Sequence, residues 1–207
     1  YGTNKFSAST GALFSAARFI KNKQVHLKSS IISVVLALLG SALGARAALA
    51  LDEKYLQYCL IIMLPVIAVF VMTKRDFGEN VNAHMLTEKK LMILSSLSGL
   101  IIGAYDGFFG PGAGMFLVLA NSSLMGFNLT MASGNARVVN LASNLAALVT
   151  YMWNGKVLFW VAVPAAIFSI LGNWVGSGLA IKNGAKIIKP IFLIVVGLLF
   201  IKVGYDI

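Results

Sequence analysis

Polar and apolar positions segregate along this chain on the scale of whole helices: long apolar runs are separated by short connections in which basic residues predominate. A bilayer-spanning helix needs about 20 mostly apolar residues. The stretches 29–51 and 157–181 meet that length, and the run 91–136 is long enough for two passes. Residues 55–72 and 187–205 are shorter yet apolar enough to span, whereas 5–20 and 137–153 have a helical pattern but carry polar residues throughout. The pattern therefore predicts eight helical segments: A (5–20), B (29–51), C (55–72), D (91–105), E (112–131), A′ (137–153), B′ (157–181) and C′ (187–205). The expected fold class is all-α, a polytopic membrane helix bundle, with the lipid bilayer as its surroundings and a multi-pass position in the cell membrane.

Composition agrees with the pattern. A hydrophobic content of 58%, a charged content of 12% and a mean hydropathy of +0.85 exclude an ordinary soluble domain. The net charge of +10, from 17 Lys and Arg against 7 Asp and Glu, would suggest nucleic acid in a soluble protein. Here its distribution gives a simpler reading. If every segment crosses, eleven cations fall on the A–B, C–D, E–A′ and B′–C′ side, and four, Arg46, Lys54, Lys156 and Lys202, on the other. The positive-inside rule assigns the first side to the cytoplasm, and no nucleic-acid partner is implied. Residues 73–90 form the one substantial polar loop, a solvated connector of mixed sign.

A shift of 132 residues lays Gly2-Thr3-Asn4-Lys5 on Gly134-Asn135-Ala136-Arg137 and, without a gap, A on A′, B on B′ and C on C′. The register retains Gly40/Gly172, Gly44/Gly176, Asn22/Asn154, Val25/Val157, Leu13/Leu145 and Lys54/Lys186. A′ comes an odd number of segments after A, so the two copies would point in opposite directions, the arrangement of transporters that bind ligand at a repeat interface near the midplane. The expected organisation is a first repeat at 1–72, a cytoplasmic connection at 73–90 and a second repeat at 91–207. Because D and E precede A′, their counterparts would precede A, and the first repeat is expected to lack an opening hairpin of about 45 residues, the length of 91–135.

Within this frame one local feature stands out, Gly103-Ala104-Tyr105-Asp106-Gly107-Phe108-Phe109-Gly110-Pro111-Gly112-Ala113-Gly114. Asp106 is the only charged residue between Leu91 and Ala136, and a carboxylate at membrane depth is functional by default. The glycines and Pro111 break the helix, so the freed backbone must face protein or a water-filled cavity. Segment E would begin just beyond, presenting the N–H groups of Gly112 to Gly114 to an anion. The motif lacks the Lys-Ser/Thr of a nucleotide loop. On A′, Arg137, Asn140 and Asn144 follow helical spacing along one face, with Asn135 and Ser143 nearby. Their counterparts on A are Asn4, Lys5, Ser7, Ser9 and Thr10. Two cations, Lys5 and Arg137, thus open two equivalent helices and favour a small anionic ligand.

Other candidates carry less. Cys59 lies in an apolar run and, as the single cysteine, excludes an intrachain disulfide; His26 and His84 are far apart in sequence, without carboxylates at ligand spacing. Neither a metal nor a cofactor is expected, and no catalytic constellation indicates an enzyme. The spacings Gly40-x-x-x-Gly44, Gly172-x-x-x-Gly176 and Gly99-x-x-x-Gly103-x-x-x-Gly107 predict small-residue packing faces. Trp153, Trp160 and Trp174 suit interfacial anchors.

At Gly2-Thr3-Asn4-Lys5-Phe6-Ser7, at Tyr105 through Gly114, and at Ser133-Gly134-Asn135-Ala136-Arg137-Val138-Val139-Asn140 with Ala142 to Leu148, the chain resembles the TauE/SafE family of sulfite and sulfonate exporters. The likeness runs over essentially the whole chain. It implies a two-repeat inner-membrane transporter of small sulfur oxyanions or sulfonates, exporting without ATP. On that reading Lys5, Asn4, Asn135, Arg137, Asn140, Asn144, Gly112 and Gly114 bind substrate and Asp106 gates the site or carries a proton. One departure concerns the second polar segment, where the family often has Gly-Thr-Ser-Lys and this chain has Gly134-Asn135-Ala136-Arg137, which replaces a point charge by a forked donor. The alternatives are a proton- or cation-coupled carrier of another small solute and a non-transporting membrane scaffold.

Overall fold

The computed structural model describes residues 1–52, 55, 86–188, 190, 191, 194 and 198, and these are helical with no strand among them. Six α-helices are delimited: α1 (Gly2–Lys21), α2 (Leu27–Leu49), α3 (Glu88–Phe108), α4 (Ala113–Leu119), α5 (Leu129–Trp153) and α6 (Phe159–Asn183). Segments A, B, D, A′ and B′ correspond to α1, α2, α3, α5 and α6. All of segment C but Tyr55, most of the 73–90 connection and most of C′ lie outside the described residues, as do Cys59 and His84. Among the described residues α2, α3 and α6 are long and apolar enough to cross a membrane.

Segment E departs from expectation. The chain from 112 to 131 is not one spanning helix: α4 runs only to Leu119, a π-helical turn covers Ala120–Leu124, and α5 already begins at Leu129. Twelve residues rise about 18 Å, short of the roughly 30 Å hydrocarbon core. The apolar count was sufficient for two passes, but Asn128 caps α5, accepting a hydrogen bond from the Met131 N–H at 2.9 Å, and so assigns residues 129–136 to the next helix.

α5 packs against α1, α2, α3 and α4 and forms the axis of the bundle. α2 and α3 meet through small residues in steps of four. Gly99 abuts Ser33, Gly103 abuts Ala37 and Gly107 abuts Ser41, so the two helices run parallel at close approach. A Cβ on Gly103 would lie 2.7 Å from the Ala37 Cα. Buried hydroxyls reinforce the seam: Ser33 Oγ donates to the Ser95 carbonyl at 2.7 Å and Ser41 Oγ to that of Ser143 at 2.6 Å. Gly40 and Gly44 serve the same seam, as their spacing predicts. Gly172 and Gly176 do not, because nothing lies within 4 Å of a Cβ at either.

The 132-residue register reappears in backbone geometry. α1 ends at Asn22 (φ −88°, ψ 11°) and α5 at Asn154 (φ −96°, ψ 12°), and positive φ follows at Lys23 (56°) and Gly155 (64°). The next helices start from His26 (φ −84°, ψ 92°) and Leu158 (φ −94°, ψ 92°). Two contacts are reciprocal across the same interval. The His26 N–H donates to Asn135 Oδ1 at 2.8 Å, and the Leu158 N–H donates to Thr3 Oγ1 at 3.1 Å. Gly2 packs on Tyr151 and Gly134 on Phe19, so α1 and α5 run antiparallel.

Candidate functional site

The site forms where α3 gives way to α4. Gly110 and Gly112 have φ of 90° and 80°, conformations that L side chains rarely adopt, and the Tyr105 hydroxyl donates to the Pro111 carbonyl across the break. α3 stops at Phe108 while its neighbour α2 continues past Gly44 to Leu49, so the break lies inside the bundle rather than at its surface.

This geometry turns Asp106 inward. Its side chain is buried, as is that of Lys5, and Lys5 Nζ donates to Asp106 Oδ1 at 2.8 Å and also to the Asp106 carbonyl. The other carboxylate oxygen accepts hydrogen bonds from Ser143 Oγ and, at 3.5 Å, from Asn140 Nδ2. Two desolvated charges are tolerable only with such full pairing. Gly110 has a second reason to lack a side chain, since its Cβ would stand 3.1 Å from Lys5 Nζ.

Beside this pair opens a cavity of about 700 Å³, bounded by α1, α3, α4, α5 and α6. Of the residues expected at a site, Asn4, Lys5, Asp106, Gly112, Gly114, Arg137, Asn140 and Asn144 all line it. Arg137 is exposed into this space, and neither of the two ion pairs found among the described residues involves it. Lys5 and Arg137, 132 residues apart in sequence, are thus in opposite electrostatic situations: Lys5 is neutralised by Asp106, and Arg137 has no carboxylate partner among the described residues. Asn144 is oriented by donating to the Asn140 carbonyl at 2.7 Å.

Asn135 is the expected site residue that the fold takes elsewhere. It is buried, accepts from the His26 N–H and, at 3.1 Å, from Ser30 Oγ, and donates to Asn121 Oδ1 at 3.0 Å. Its hydrogen-bonding capacity serves the start of α2. Conversely, Gly172, Asn173, Gly176 and Ser177 of α6 line the cavity and were not singled out for it. A signal existed: Ser169, Asn173 and Ser177 recur every four residues in an otherwise apolar helix, one polar stripe on one face. Among the described residues no group of His, Cys, Asp and Glu could hold a metal ion.

A family model described as "Sulfite exporter TauE/SafE" matches residues 1–203. The chain is 31% identical over 205 residues to a "Probable membrane transporter protein" of Haemophilus influenzae, covering 99% of this chain and 79% of that one. It is 30% identical over 204 residues to the "Probable membrane transporter protein YfcA" of Escherichia coli (99% and 75%). It is 32% identical over 194 residues to the "Probable membrane transporter protein ORF9" of a Sinorhizobium species (94% and 73%). No solved structure matches.

Proposed function

Since the chain belongs to the sulfite exporter TauE/SafE family of membrane transporters, we propose that it carries small sulfur-containing anions, sulfite or sulfonates, out of the cell across the cell membrane without ATP. The observation that supports this best is Arg137, a cation without a carboxylate partner among the described residues, facing a cavity whose largely apolar wall carries several asparagine and serine side chains. Asn4, Lys5, Asn140 and Asn144 form the polar wall around the anion, with the backbone at Gly112 and Gly114 completing it. Asp106, by holding Lys5, gates the site or carries a proton. Export is favoured by a negative interior, which gives each departing negative charge about 2.3 kcal/mol per 100 mV.

We also infer that the bundle is a multi-pass inverted repeat. The reciprocal pairs His26 with Asn135 and Leu158 with Thr3, and the antiparallel course of α1 and α5, support it. Each contact is made twice with the roles exchanged, as an approximate two-fold axis requires. The domains then follow as a first repeat to residue 72, a connection at 73–90 and a second repeat to 207.

The test is flux from proteoliposomes loaded with sulfite, sulfate, thiosulfate or sulfoacetate. Arg137→Ala should abolish flux of the carried anion and Lys5→Ala should reduce it. Intact flux in both variants overturns the assignment of the site. An unchanged pH dependence in Asp106→Asn removes the proton-carrying role.

A further inference from the structure

The charges around the cavity can be counted. Among the described residues that line it, three are ionisable: Lys5, Asp106 and Arg137. Lys5 and Asp106 neutralise one another at 2.8 Å, with both side chains almost wholly withdrawn from solvent. The remaining lining is amides, hydroxyls, glycine backbone and apolar side chains from α6 and the segment beyond it, such as Ala180, Ile187 and Ile191. Among these described lining residues one positive charge is left uncompensated, at Arg137.

We propose that this cavity is matched to a single negative charge, so that its substrates are monovalent anions such as sulfonates without a second acidic group and singly ionised oxyanions. Divalent oxyanions are excluded while the Lys5–Asp106 pair is in place. The inference rests on the proposed transport of sulfur anions and adds the valence of the ion carried. The reason is electrostatic. In a site walled by an apolar bundle an unbalanced charge is poorly solvated, and pairing must be close to complete for an ion to reside there. A monoanion at Arg137 brings the three residues and the ligand to zero net charge. A dianion leaves a residual negative charge beside the Asp106 carboxylate, and the existing Lys5 contact cannot be lent to the ligand without exposing that carboxylate. Discrimination therefore does not require the ions to differ in size.

The experiment compares methanesulfonate, monovalent at every working pH, with sulfate, divalent at pH 7, using the full chain in detergent for equilibrium binding and in proteoliposomes for flux. The wild type should prefer methanesulfonate by at least about tenfold, the factor that 1.4 kcal/mol carries. Asp106→Asn raises the net charge of the lining by one and should shift the preference toward sulfate by a similar factor. The double variant Lys5→Gln/Asp106→Asn restores the original net charge with uncharged amide side chains and should return the preference to methanesulfonate, which keeps the test decisive if the single variant is too unstable to purify. Equal binding and flux of both ions by the wild type, or a double variant that prefers sulfate, overturns the charge-matching inference while leaving sulfur-anion transport standing. A folded wild type that binds and carries neither ion overturns the proposed function and this inference with it.

Discussion

Lys5 and Asp106, 101 residues apart in sequence, form a buried ion pair between α1 and the end of α3. Arg137, 132 residues beyond Lys5 in sequence, faces an open cavity with no carboxylate partner among the described residues. The two cations thus differ in their surroundings: Lys5 is locked against the helix break, and Arg137 is exposed within the cavity. This inequality, more than the presence of two cations, gives the site its sign.

The buried pair should dominate local stability. Asp106→Ala leaves the Lys5 ammonium desolvated without a counter-charge, and the expected loss is about 3–5 kcal/mol. Replacing both, as Lys5→Met/Asp106→Leu, should recover most of that loss, because no buried charge is stranded. Thermal unfolding in detergent measures both; a single variant as stable as the wild type contradicts the pairing.

Glycines of identical sequence spacing should respond in opposite ways. Gly103→Ala drives a methyl to within 2.7 Å of the Ala37 Cα and should destabilise by about 1–3 kcal/mol through overpacking. Gly172→Ala meets nothing within 4 Å and should be neutral or stabilising by up to about 1 kcal/mol, the helix-propensity difference. Comparison of their unfolding midpoints separates a packing face from a cavity wall.

Asn135→Ala tests whether this amide belongs to the fold or the ligand. Its loss orphans the His26 N–H and the side-chain Oδ1 of Asn121, costing about 1–3 kcal/mol for a buried unsatisfied group. Anion affinity in the folded fraction should be unchanged. A weakened affinity with unchanged stability would return Asn135 to the binding site.

Cavity access can be read by thiol labelling in a Cys59→Ser background. Gly176→Cys, on the cavity wall, should react with a membrane-impermeant thiosulfonate reagent and be protected by the transported anion. Leu39→Cys, on the exposed apolar face of α2, should remain unlabelled in the bilayer. Equal labelling of the two positions would mean that Leu39 faces water rather than lipid.

The all-helical character of the described residues and the glycine seam at Gly99, Gly103 and Gly107 were legible in the linear chain. Each depends on spacing along one helix or on composition, quantities that local physics sets. The same is true of Asp106 in its glycine frame, since an acid in an apolar run is conspicuous without any coordinates. Three matters needed the tertiary structure. Segment E was divided because the capping amide of Asn128 outcompeted apolar length. Asn135 left the polar face of its helix for the entry to α2, and Gly172 and Gly176 turned from a packing seam to a cavity wall, because a helical face has meaning only once its neighbour is known. Finally, the sequence by itself determined that Lys5, Arg137 and Asp106 are charges embedded in an apolar chain, whereas only the fold decided which cation the single carboxylate neutralises. Electrostatic pairing acts through a few ångströms of space, and a chain reveals distance along itself but not across.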